Sequence, residues 1–407
     1  MFTRQEKLLL FFLATIQFNH IVDFMIMMPL GPVVMRELQM TPAQFGLVIS
    51  SYTFTAGIMG FLAAFFLDRF DRKRALVFLT IGFAVGTLLC SVAPSFLLLA
   101  AARSTAGAFG GVLSSVVMAI IGDAIAPDRR GTAMGIVMAG FSAASVLGVP
   151  FSLYLANLFN WHAPFVFLGT MALFMAVALS TLLPPMNAHL ARKRDPPLRV
   201  VIELVSTRQT AARLLFMALL IFGQFTIIPF LSPSLVANAG LPEAQLPLVY
   251  LVGGFCTIFS SPAWGRLSDR FGYRRVALIG ITISLVPFYI ITNLSVIPVW
   301  LLLVIVAIMF ICMGGRMIPV MTMMTSSVPP EKRGSFMSLT SSVQQLSSSI
   351  GAAVAGATVV TLSDGRLAHY DRVGLIAITS SALAVLLLYN MQSTRTVSPA
   401  PQPARTA

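Results

Sequence analysis

The sequence has few charged residues for its length. Only 10% of its 407 residues are Asp, Glu, Lys or Arg, whereas an ordinary soluble domain carries about 25%. With 57% hydrophobic residues and a mean hydropathy of +0.88, this scarcity excludes an ordinary soluble fold. Lys and Arg outnumber Asp and Glu by 27 to 14, but they form short clusters between apolar runs. The basic composition therefore does not indicate a nucleic-acid-binding protein.

Residues that form metal sites, disulfides and catalytic centres are also scarce. The three cysteines lie inside apolar runs, where they are typical of small buried hydrophobic residues. The four histidines are scattered without the spacing of metal ligands. The sequence contains no H-E-x-x-H motif and no phosphate-binding glycine loop. It therefore predicts no enzyme, no metal site and no cofactor.

Long apolar segments are what the chain has in abundance. A helix of about 20 residues crosses the ~30 Å hydrocarbon core of a bilayer. About twelve runs reach this length, near residues 7–35, 43–67, 75–93, 96–124, 131–159, 162–184, 211–238, 244–266, 275–293, 297–325, 334–362 and 373–392. The first run has no small-residue cleavage site, so we interpret it as a retained helix. These runs predict an all-α membrane protein with about twelve transmembrane helices.

Two charged motifs occur twice at nearly the same spacing. Asp68–Arg74 is echoed by Asp269–Arg275, 201 positions later, and Pro127–Gly131 is echoed by Pro330–Gly334, 203 positions later. Two independent echoes at about half the chain length indicate a tandem duplication. We therefore predict two parallel repeats of six helices each.

The repeats divide the chain into four parts. These are a first repeat at 1–184, a cytoplasmic linker with a short amphipathic segment at 185–210, a second repeat at 211–392, and a disordered tail at 393–407. If the N-terminus is cytoplasmic, the inner connections and termini hold 22 of the 27 Lys and Arg residues. The positive-inside rule therefore predicts that both termini are cytoplasmic.

One of the charged connections resembles a signature of the major facilitator superfamily. The family's loop between its second and third helices reads G-x-x-x-D-R-x-G-[RK]-[RK], and Gly265–Arg275 is similar, with one extra residue before the final base. The first copy keeps Asp68 and Arg69, but Ala64 and Asp71 replace the two glycines. Aspartate tolerates a left-handed backbone better than most residues, so we expect the first copy to keep its role in altered geometry.

Two further stretches are similar to motifs of this family. Arg103, in Ala101–Gly111, resembles its intramembrane arginine motif. Gly140, Gly148 and Pro150 resemble, incompletely, the fifth-helix motif of the bacterial drug–proton antiporter branch. The resemblance implies two six-helix repeats around a central cavity, transport by alternating access, and a monomer in the bacterial inner membrane.

The resemblance also implies a conformational latch at the cytoplasmic end. In the family the second-helix aspartate, here Asp68, meets the N-terminus of the eleventh helix, here near Gly334. An anion at a helix N-terminus contributes about 0.3–1 kcal/mol, and up to ~2 kcal/mol when partly buried. That is enough to bias an equilibrium between two conformations without locking it. The predicted latch residues are Asp68, Arg69, Arg72, Lys73, Arg74, Asp269 and Arg270.

Asp23 is the only acidic residue deep inside an apolar run. A charge there costs at least ~2.5–3.5 kcal/mol on insertion scales, and removal from water disfavours the ionised form. Asn19 and His20 precede it on the same helical face. We interpret Asp23 as a protonation site, with His20 as a second proton carrier or only a hydrogen-bonding partner. The alternative is a structural contact between helices.

The other two intramembrane charges are Arg103 and Arg316, which cannot lose their protons. Asp23 and Arg103 form the natural ion pair, with Arg103 taking part in proton coupling. Arg316 then has no acidic partner in the sequence. Either it meets an anionic part of the substrate, or carbonyl groups, water or an inner-loop acid satisfy it.

Further polar residues are candidates for a substrate site or, alternatively, for packing between helices. The predicted substrate-binding set is Asn19, Asp23, Arg103, Gln224, Tyr250, Arg316, Gln344, Gln345 and Ser348. The favoured function is proton-coupled export of a small amphiphilic molecule, with the lipid bilayer, protons and the substrate as partners. Two alternatives remain open: import of an organic anion by Arg103 and Arg316, and a scaffold or sensor that transports nothing.

Overall fold

The computed structural model describes residues 2–126, 128–187, 206–326 and 333–390. Its helices are α1 Arg4–Ile26, α2 Gly31–Glu37, α3 Pro42–Phe66, α4 Arg72–Cys90, α5 Phe96–Ala124, α6 Arg130–Ala143, α7 Val149–Leu158, α8 Ala163–Leu182, α9 Arg208–Ala237, α10 Leu246–Phe271, α11 Tyr273–Thr292, α12 Val299–Ser326, α13 Arg333–Thr358 and α14 Tyr370–Asn390. Short 3-10 turns cover Leu67–Arg69 and Glu243–Gln245, and a π turn at Ala144–Gly148 joins α6 to α7. Strands β1 Val360–Thr361 and β2 Leu367–Ala368 form an antiparallel pair.

Twelve helical segments have the length needed to cross a bilayer, because α6, the π turn and α7 form one continuous span. Eleven segments in the described ranges are also apolar enough by composition alone. The twelfth, α13, has 26 residues and so is about 39 Å long at ~1.5 Å per residue. It is rich in serine and glutamine, which explains its lower hydropathy. The prediction of an all-α membrane protein is confirmed.

Two predicted runs have different boundaries in the structure. The first run, 7–35, is broken after Ile26, and the short helix α2 follows with Pro32 in its first turn. Proline lacks the backbone N–H that would continue a helix, and Pro29 lies at this break. The eleventh run, 334–362, ends as a helix at Thr358, and its last residues enter the β1–β2 hairpin. The predicted tail and most of the predicted linker lie outside the described residues.

The helices form two repeated halves, one from α1 to α8 and one from α9 to α14. In the first half α5 packs against α3 and α4, and α1 packs against α6. In the second half α12 packs against α10 and α11, and α9 packs against α14. The most extensive contact between the halves is that of α3 with α13, and α7 also meets α10. A Cβ at Gly46 would lie 2.9 Å from the Cα of Gly356, so small residues allow this approach.

The two ends of the helix bundle differ. We call the end where α1 begins and α14 ends the basic end, because the clustered Lys and Arg residues lie there. At the opposite end the halves touch: Arg36 pairs with Glu243, and a Cβ at Gly31 would lie 2.8 Å from the ring of Pro233. At the basic ends of α6 and α10, a Cβ at Gly131 or Gly265 would meet nothing within 4 Å. The halves are therefore closed at the opposite end in this conformation.

Candidate functional site

The centre of the first half contains a buried ion pair. Arg103 on α5 donates from Nη1 to Oδ2 of Asp23 at 2.9 Å and to the backbone oxygen of Asp23 at 3.2 Å. Thr87 on α4 donates to the other carboxylate oxygen at 3.1 Å. Asp23 is fully buried and Arg103 is 1% exposed. The pair expected from the sequence is present, and it joins α1, α4 and α5.

An aromatic ring lies against the same pair. The Arg103 guanidinium carbon is 4.2 Å from the centre of the Tyr52 ring, a cation–π distance that stabilises a desolvated cation. The Tyr52 hydroxyl is buried without a hydrogen-bond partner in the described structure, and so is Nε of Arg103. Arg103 would therefore keep a backbone oxygen and an aromatic ring as partners if the Asp23 carboxylate became neutral.

His20 lies one helical turn before Asp23 and is nine-tenths buried. Its ring packs edge-on against Phe83, 5.8 Å between centres, and 6.4 Å from the Tyr52 ring. Neither ring nitrogen has a hydrogen-bond partner among the described residues. A Cβ at Gly110 would lie 2.8 Å from both the His20 ring and the Tyr52 hydroxyl, so glycine is needed for this approach. A proton-coupling role for His20 stays a prediction.

Asn19 points away from this site. Its amide nitrogen donates to the backbone oxygen of Leu168 at 3.0 Å and so ties α1 to α8. The three polar residues on one face of α1 therefore contact different neighbours: Asn19 meets α8, His20 meets α3 and α4, and Asp23 meets α4 and α5. The structure brings Asp23 and Arg103 together and leaves Asn19 apart from them.

The fifth-helix motif packs against α1 beside Asp23. A Cβ at Gly140 would lie 3.1 Å from the backbone oxygen of Ala14, and one at Gly148 would lie 2.2 Å from the side chain of Val22. Pro150 is in the first turn of α7, directly after the π turn. Because proline removes a helical N–H, a locally widened turn before it is physically expected. The two glycines let α1 and the α6–α7 span approach each other closely.

Arg316 lies inside the second half and is fully buried. Its guanidinium donates to the hydroxyl of Ser284 on α11 at 2.9 Å, to the hydroxyl of Ser381 on α14 at 3.1 Å, and to the backbone oxygen of Leu220 on α9 at 3.1 Å. Its guanidinium carbon lies 4.8 Å from the Phe288 ring centre. The contacts are hydroxyl groups and a carbonyl from neighbouring helices. Whether Arg316 also meets substrate stays a prediction.

The other predicted substrate residues do not form one cluster. The Tyr250 hydroxyl is 2.8 Å from that of Ser232 within the second half, and Ser348 donates to the backbone oxygen of Gln345. The Gln344 amide donates only to thioether sulfur atoms, at 3.2 Å to Met217 and 3.6 Å to Met321. Gln224 has a buried oxygen without a partner among the described residues. Gln345 lines a cleft between the halves.

The latch prediction is only partly testable here, because the side chain of Asp68 and residues 327–332, which precede α13, lie outside the described part of the chain. Arg72 pairs with Asp123 at 3.1 Å, and Arg69, Lys73 and Arg74 are at least partly exposed. Asp269 is exposed and accepts a hydrogen bond from Tyr273 at 2.9 Å. Arg270 lies over the ring of its neighbour Phe271.

Asp71 does not use the left-handed backbone that its residue type tolerates. Gly272 in the second copy has φ +89°, whereas Asp71 has φ −55°. The Asp71 carboxylate instead caps α4 by accepting from the backbone N–H of Arg74 at 2.9 Å, and it accepts from the N–H of Met186 at 2.7 Å. N-terminal capping of this kind favours Asp, so the first copy replaces a glycine turn with a capped helix start.

Sequence reasoning missed the contact that joins the halves at the opposite end. Arg36, in the last turn of α2, forms two hydrogen bonds to the carboxylate of Glu243, the longer at 3.0 Å. These bonds raise the pKa of the Arg36 guanidinium. The two residues are 207 positions apart, and each lies in an ordinary polar connection. The pair could not be predicted, because the sequence does not show which connections meet in space.

A bundle of twelve membrane-crossing helices in two repeated halves, with a fully buried ion pair, defines a multi-pass membrane protein of the transporter type. The family model of the Major Facilitator Superfamily matches residues 13–255 and 214–406. The chain belongs to this superfamily, and it is therefore a transporter embedded in the lipid bilayer and not an enzyme.

Relatives and solved structures agree with this assignment. The chain is 26% identical to an uncharacterized MFS-type transporter, YceJ of Bacillus subtilis, over 82% of this chain and 85% of that protein. It is 26% identical to a chloramphenicol resistance protein of Streptomyces lividans, over 59% and 62%, and 23% identical to a probable sugar efflux transporter of Helicobacter pylori, over 57% and 58%. The structure of a bacterial homologue of the human lysosomal transporter Spinster shares the fold, with a TM-score of 0.70, 18% identity and 96% coverage of both chains.

Proposed function

We propose that this transporter exports a small amphiphilic molecule in exchange for protons, with Asp23 as the protonation site. The observation that carries the proposal is the Asp23–Arg103 pair. Asp23 is the only fully buried acidic side chain among the described residues. A buried ion pair is costly to desolvate and is retained mainly where it has a function. Two relatives support export, since one is described as a resistance protein and the other as a probable efflux transporter.

Protonation of Asp23 would change the contacts between three helices. Protonation removes the Coulomb attraction between the Asp23 carboxylate and Arg103, which stays a cation. Thr87 and the backbone oxygen of Asp23 remain within hydrogen-bonding distance of their present partners. Two unit charges about 4 Å apart attract each other by about 4 kcal/mol at an effective dielectric constant of about 20. A difference of about 1 kcal/mol is enough to shift an equilibrium between two conformations several-fold.

The orientation follows from the charge distribution. With the basic end in the cytoplasm, as the positive-inside rule requires, both termini are cytoplasmic and the protein lies in the bacterial inner membrane. The halves touch at the opposite end through Arg36 and Glu243. The described conformation is then closed toward the outside, and export requires these contacts to break.

The geometry favours this function over import of an organic anion. An anion site on Arg103 or Arg316 would need a guanidinium that is free to bind substrate. Arg103 is held by Asp23, and Arg316 by Ser284, Ser381 and a carbonyl group. An anion that replaced these partners would break two hydrogen bonds at Arg103, or at least three at Arg316.

Infrared difference spectroscopy of the protein in lipid nanodiscs tests the protonation site without knowledge of the substrate. We expect a band from a protonated carboxyl group to appear as the pH is lowered, and to be absent in Asp23→Asn. The control variant is Asp364→Asn, which removes a 56% exposed carboxylate at the opposite end and should keep the band. A band that persists in Asp23→Asn would falsify the assignment.

Transport in liposomes tests the coupling. With a pH gradient imposed, wild-type protein is expected to move chloramphenicol and protons in opposite directions, and Asp23→Asn is expected to move neither against a gradient. Asp364→Asn should behave as wild type. If Asp23→Asn retains chloramphenicol-dependent proton flux, Asp23 is not the coupling residue.

A further inference from the structure

Asp23 is out of reach of bulk water in this conformation. Its side chain is 0% exposed, so a proton that leaves its carboxyl group needs a route through polar groups of the protein. Toward the opposite end, α1 continues with Ile26, Met27 and Leu30, which are apolar and at most 1% exposed. Because these side chains can neither donate nor accept a proton, α1 offers no route in that direction.

Toward the basic end, the contact between α1 and α5 is polar. About one and two turns before Asp23, α1 carries His20 and Gln17, both of which are buried. The Gln17 amide and the hydroxyl of Ser114 on α5 exchange two hydrogen bonds of 3.3 Å. We call Asp23, Tyr52, His20 and the Gln17–Ser114 pair the polar file. It extends about 9 Å along α1.

The middle of the polar file consists of groups without partners. Both ring nitrogens of His20 and the hydroxyl of Tyr52 have no hydrogen-bond partner among the described residues. A Cβ at Gly110 would lie 2.8 Å from the Tyr52 hydroxyl and 3.0 Å from Nε2 of His20. Both groups are therefore within 3.0 Å of one point, and one bridging water or a small ring rotation is enough to connect them. Buried polar groups are rarely left unpaired, and a functional role is one reason for an exception.

The two ends of the polar file differ in their access to water. At the inner end, the Tyr52 ring lies against Arg103, which holds the Asp23 carboxylate, and the charges of Asp23 and Arg103 act on the Tyr52 hydroxyl. At the other end, Ser114 is partly exposed, and the next residue, Ser115, lines a cleft between the halves. The polar file thus connects the buried carboxylate with a surface that water reaches.

Few titratable or charged groups surround His20 and Asp23. They are Tyr52 on α3, Cys90 on α4 and Arg103 on α5. A protonated His20 would face the Arg103 guanidinium, and the repulsion between the like charges disfavours that state. His20 is therefore suited to pass a proton onward rather than to hold it.

We propose that the proton leaves Asp23 toward the basic end along the polar file, within the first half, with Tyr52 and His20 as the relay. The inference rests on the proposed protonation of Asp23 and specifies its route. The O–H bond of Asp23 breaks as the Tyr52 oxygen accepts that proton and gives its own to the unprotonated ring nitrogen of His20. The other ring nitrogen then releases its proton to water at the Gln17–Ser114 pair. One proton has left, and Asp23 is ionised again.

The test measures how fast Asp23 loses its proton while the opposite end is held closed. Arg36→Cys and Glu243→Cys, joined by a bifunctional thiol reagent after Cys256→Ser, hold that end closed in the full-length protein in nanodiscs. Stopped-flow infrared spectroscopy follows the carboxyl band of Asp23 after a jump to high pH.

We expect His20→Phe and Tyr52→Phe each to slow the loss of this band by at least about tenfold, because a positioned proton-transfer group contributes roughly 10²–10⁴-fold to a rate. The band should still disappear completely at the end point, which shows that Asp23 itself still titrates. Tyr52→Phe keeps the ring beside Arg103 and removes only a hydroxyl that has no partner in the described structure, so it should fold as wild type does.

Two variants serve as controls. Phe83→Leu tests packing, because Phe83 contacts the His20 ring but carries no proton. Ser104→Ala removes a hydroxyl that is satisfied within α5 and lies outside the polar file. Both should lose the band at about the wild-type rate. Thermal unfolding of each variant shows whether it is folded.

The proposal is overturned if folded His20→Phe or Tyr52→Phe loses the band at the wild-type rate, or if Phe83→Leu slows the loss as much as His20→Phe does. The outcome is separable from that of the proposed function. A band that Asp23→Asn removes, with rates that the relay variants leave unchanged, contradicts the route alone. Rates with the expected pattern, together with chloramphenicol-dependent proton flux in Asp23→Asn, contradict the proton-coupled exporter alone.

Discussion

The Arg36–Glu243 pair allows a quantitative test of how the opposite end opens. The Arg36 side chain is 62% exposed and that of Glu243 is 28% exposed, so the pair belongs with surface ion pairs in spite of its two hydrogen bonds. Such pairs contribute about 0.2–1 kcal/mol. Because the pair joins the two halves only when this end is closed, Arg36→Gln should raise the ratio of outward-open to closed protein by about 1.4- to 5-fold.

Spin-label distances at this end measure the ratio directly. Ala43 and Ala244 are exposed and lie in different halves at the opposite end, so a labelled cysteine at each reports the separation. Cys256, which is partly exposed, would first be replaced. We expect Arg36→Gln and Glu243→Gln each to enlarge the long-distance population, and the exchanged pair Arg36→Glu with Glu243→Arg to restore the wild-type distribution.

Salt provides an independent check. At 1 M ionic strength the Debye length is about 3 Å, so the difference between wild type and Arg36→Gln should shrink. If the two single variants leave the distance distribution unchanged at low salt, the ion pair does not hold this end closed. If the exchanged pair fails to restore the distribution, a feature other than charge complementarity is responsible.

Three further substitutions have expected effects on stability, measured by thermal unfolding in nanodiscs. Gly148→Ala places a Cβ 2.2 Å from Val22 and should destabilise the folded protein by about 1–3 kcal/mol. A Cβ at Gly135 meets nothing within 4 Å, so Gly135→Ala should be nearly neutral. Equal effects of the two substitutions would contradict the packing role of Gly148. Arg316→Met leaves buried hydroxyl groups unpaired and should lower the unfolding midpoint more than Gly135→Ala does. An unchanged midpoint would mean that the hydrogen bonds of Arg316 contribute little to stability. Asp71→Ala removes the cap of α4 and should lower the free energy of unfolding by about 1 kcal/mol. Asparagine can also cap a helix, so an equally large decrease in Asp71→Asn would show that the charge of Asp71 matters rather than its capping.

The sequence was sufficient to predict the fold. The echo of Asp68–Arg74 at Asp269–Arg275 revealed two halves, and apolar runs of helical length predicted twelve crossings, both of which are confirmed. These features are local, or they repeat, so a single sequence displays them. The boundaries were less accurate at the Pro29 break and the β1–β2 hairpin, where one apolar run holds two elements.

The site was only partly predictable. Asp23 and Arg103 stand out because charges are rare in apolar runs, and the structure joins them at 2.9 Å. The bonding of Arg316 to two serines and a carbonyl could not be predicted, because serine is common in membrane helices and its partner depends on helix rotation. The cap that Asp71 forms is local, with Arg74 three residues later, and was missed because the glycine of the family motif was taken as the guide. Its second bond, from Met186 115 positions away, could not be predicted from the sequence.

The duplication has produced two unequal halves, and this has a mechanical consequence. The first half holds a buried acid paired with an arginine, whereas the second satisfies its buried arginine with neutral groups. Asp23 in the first half is therefore a buried acid whose charge a proton can remove, whereas the described residues of the second half contain no fully buried acid.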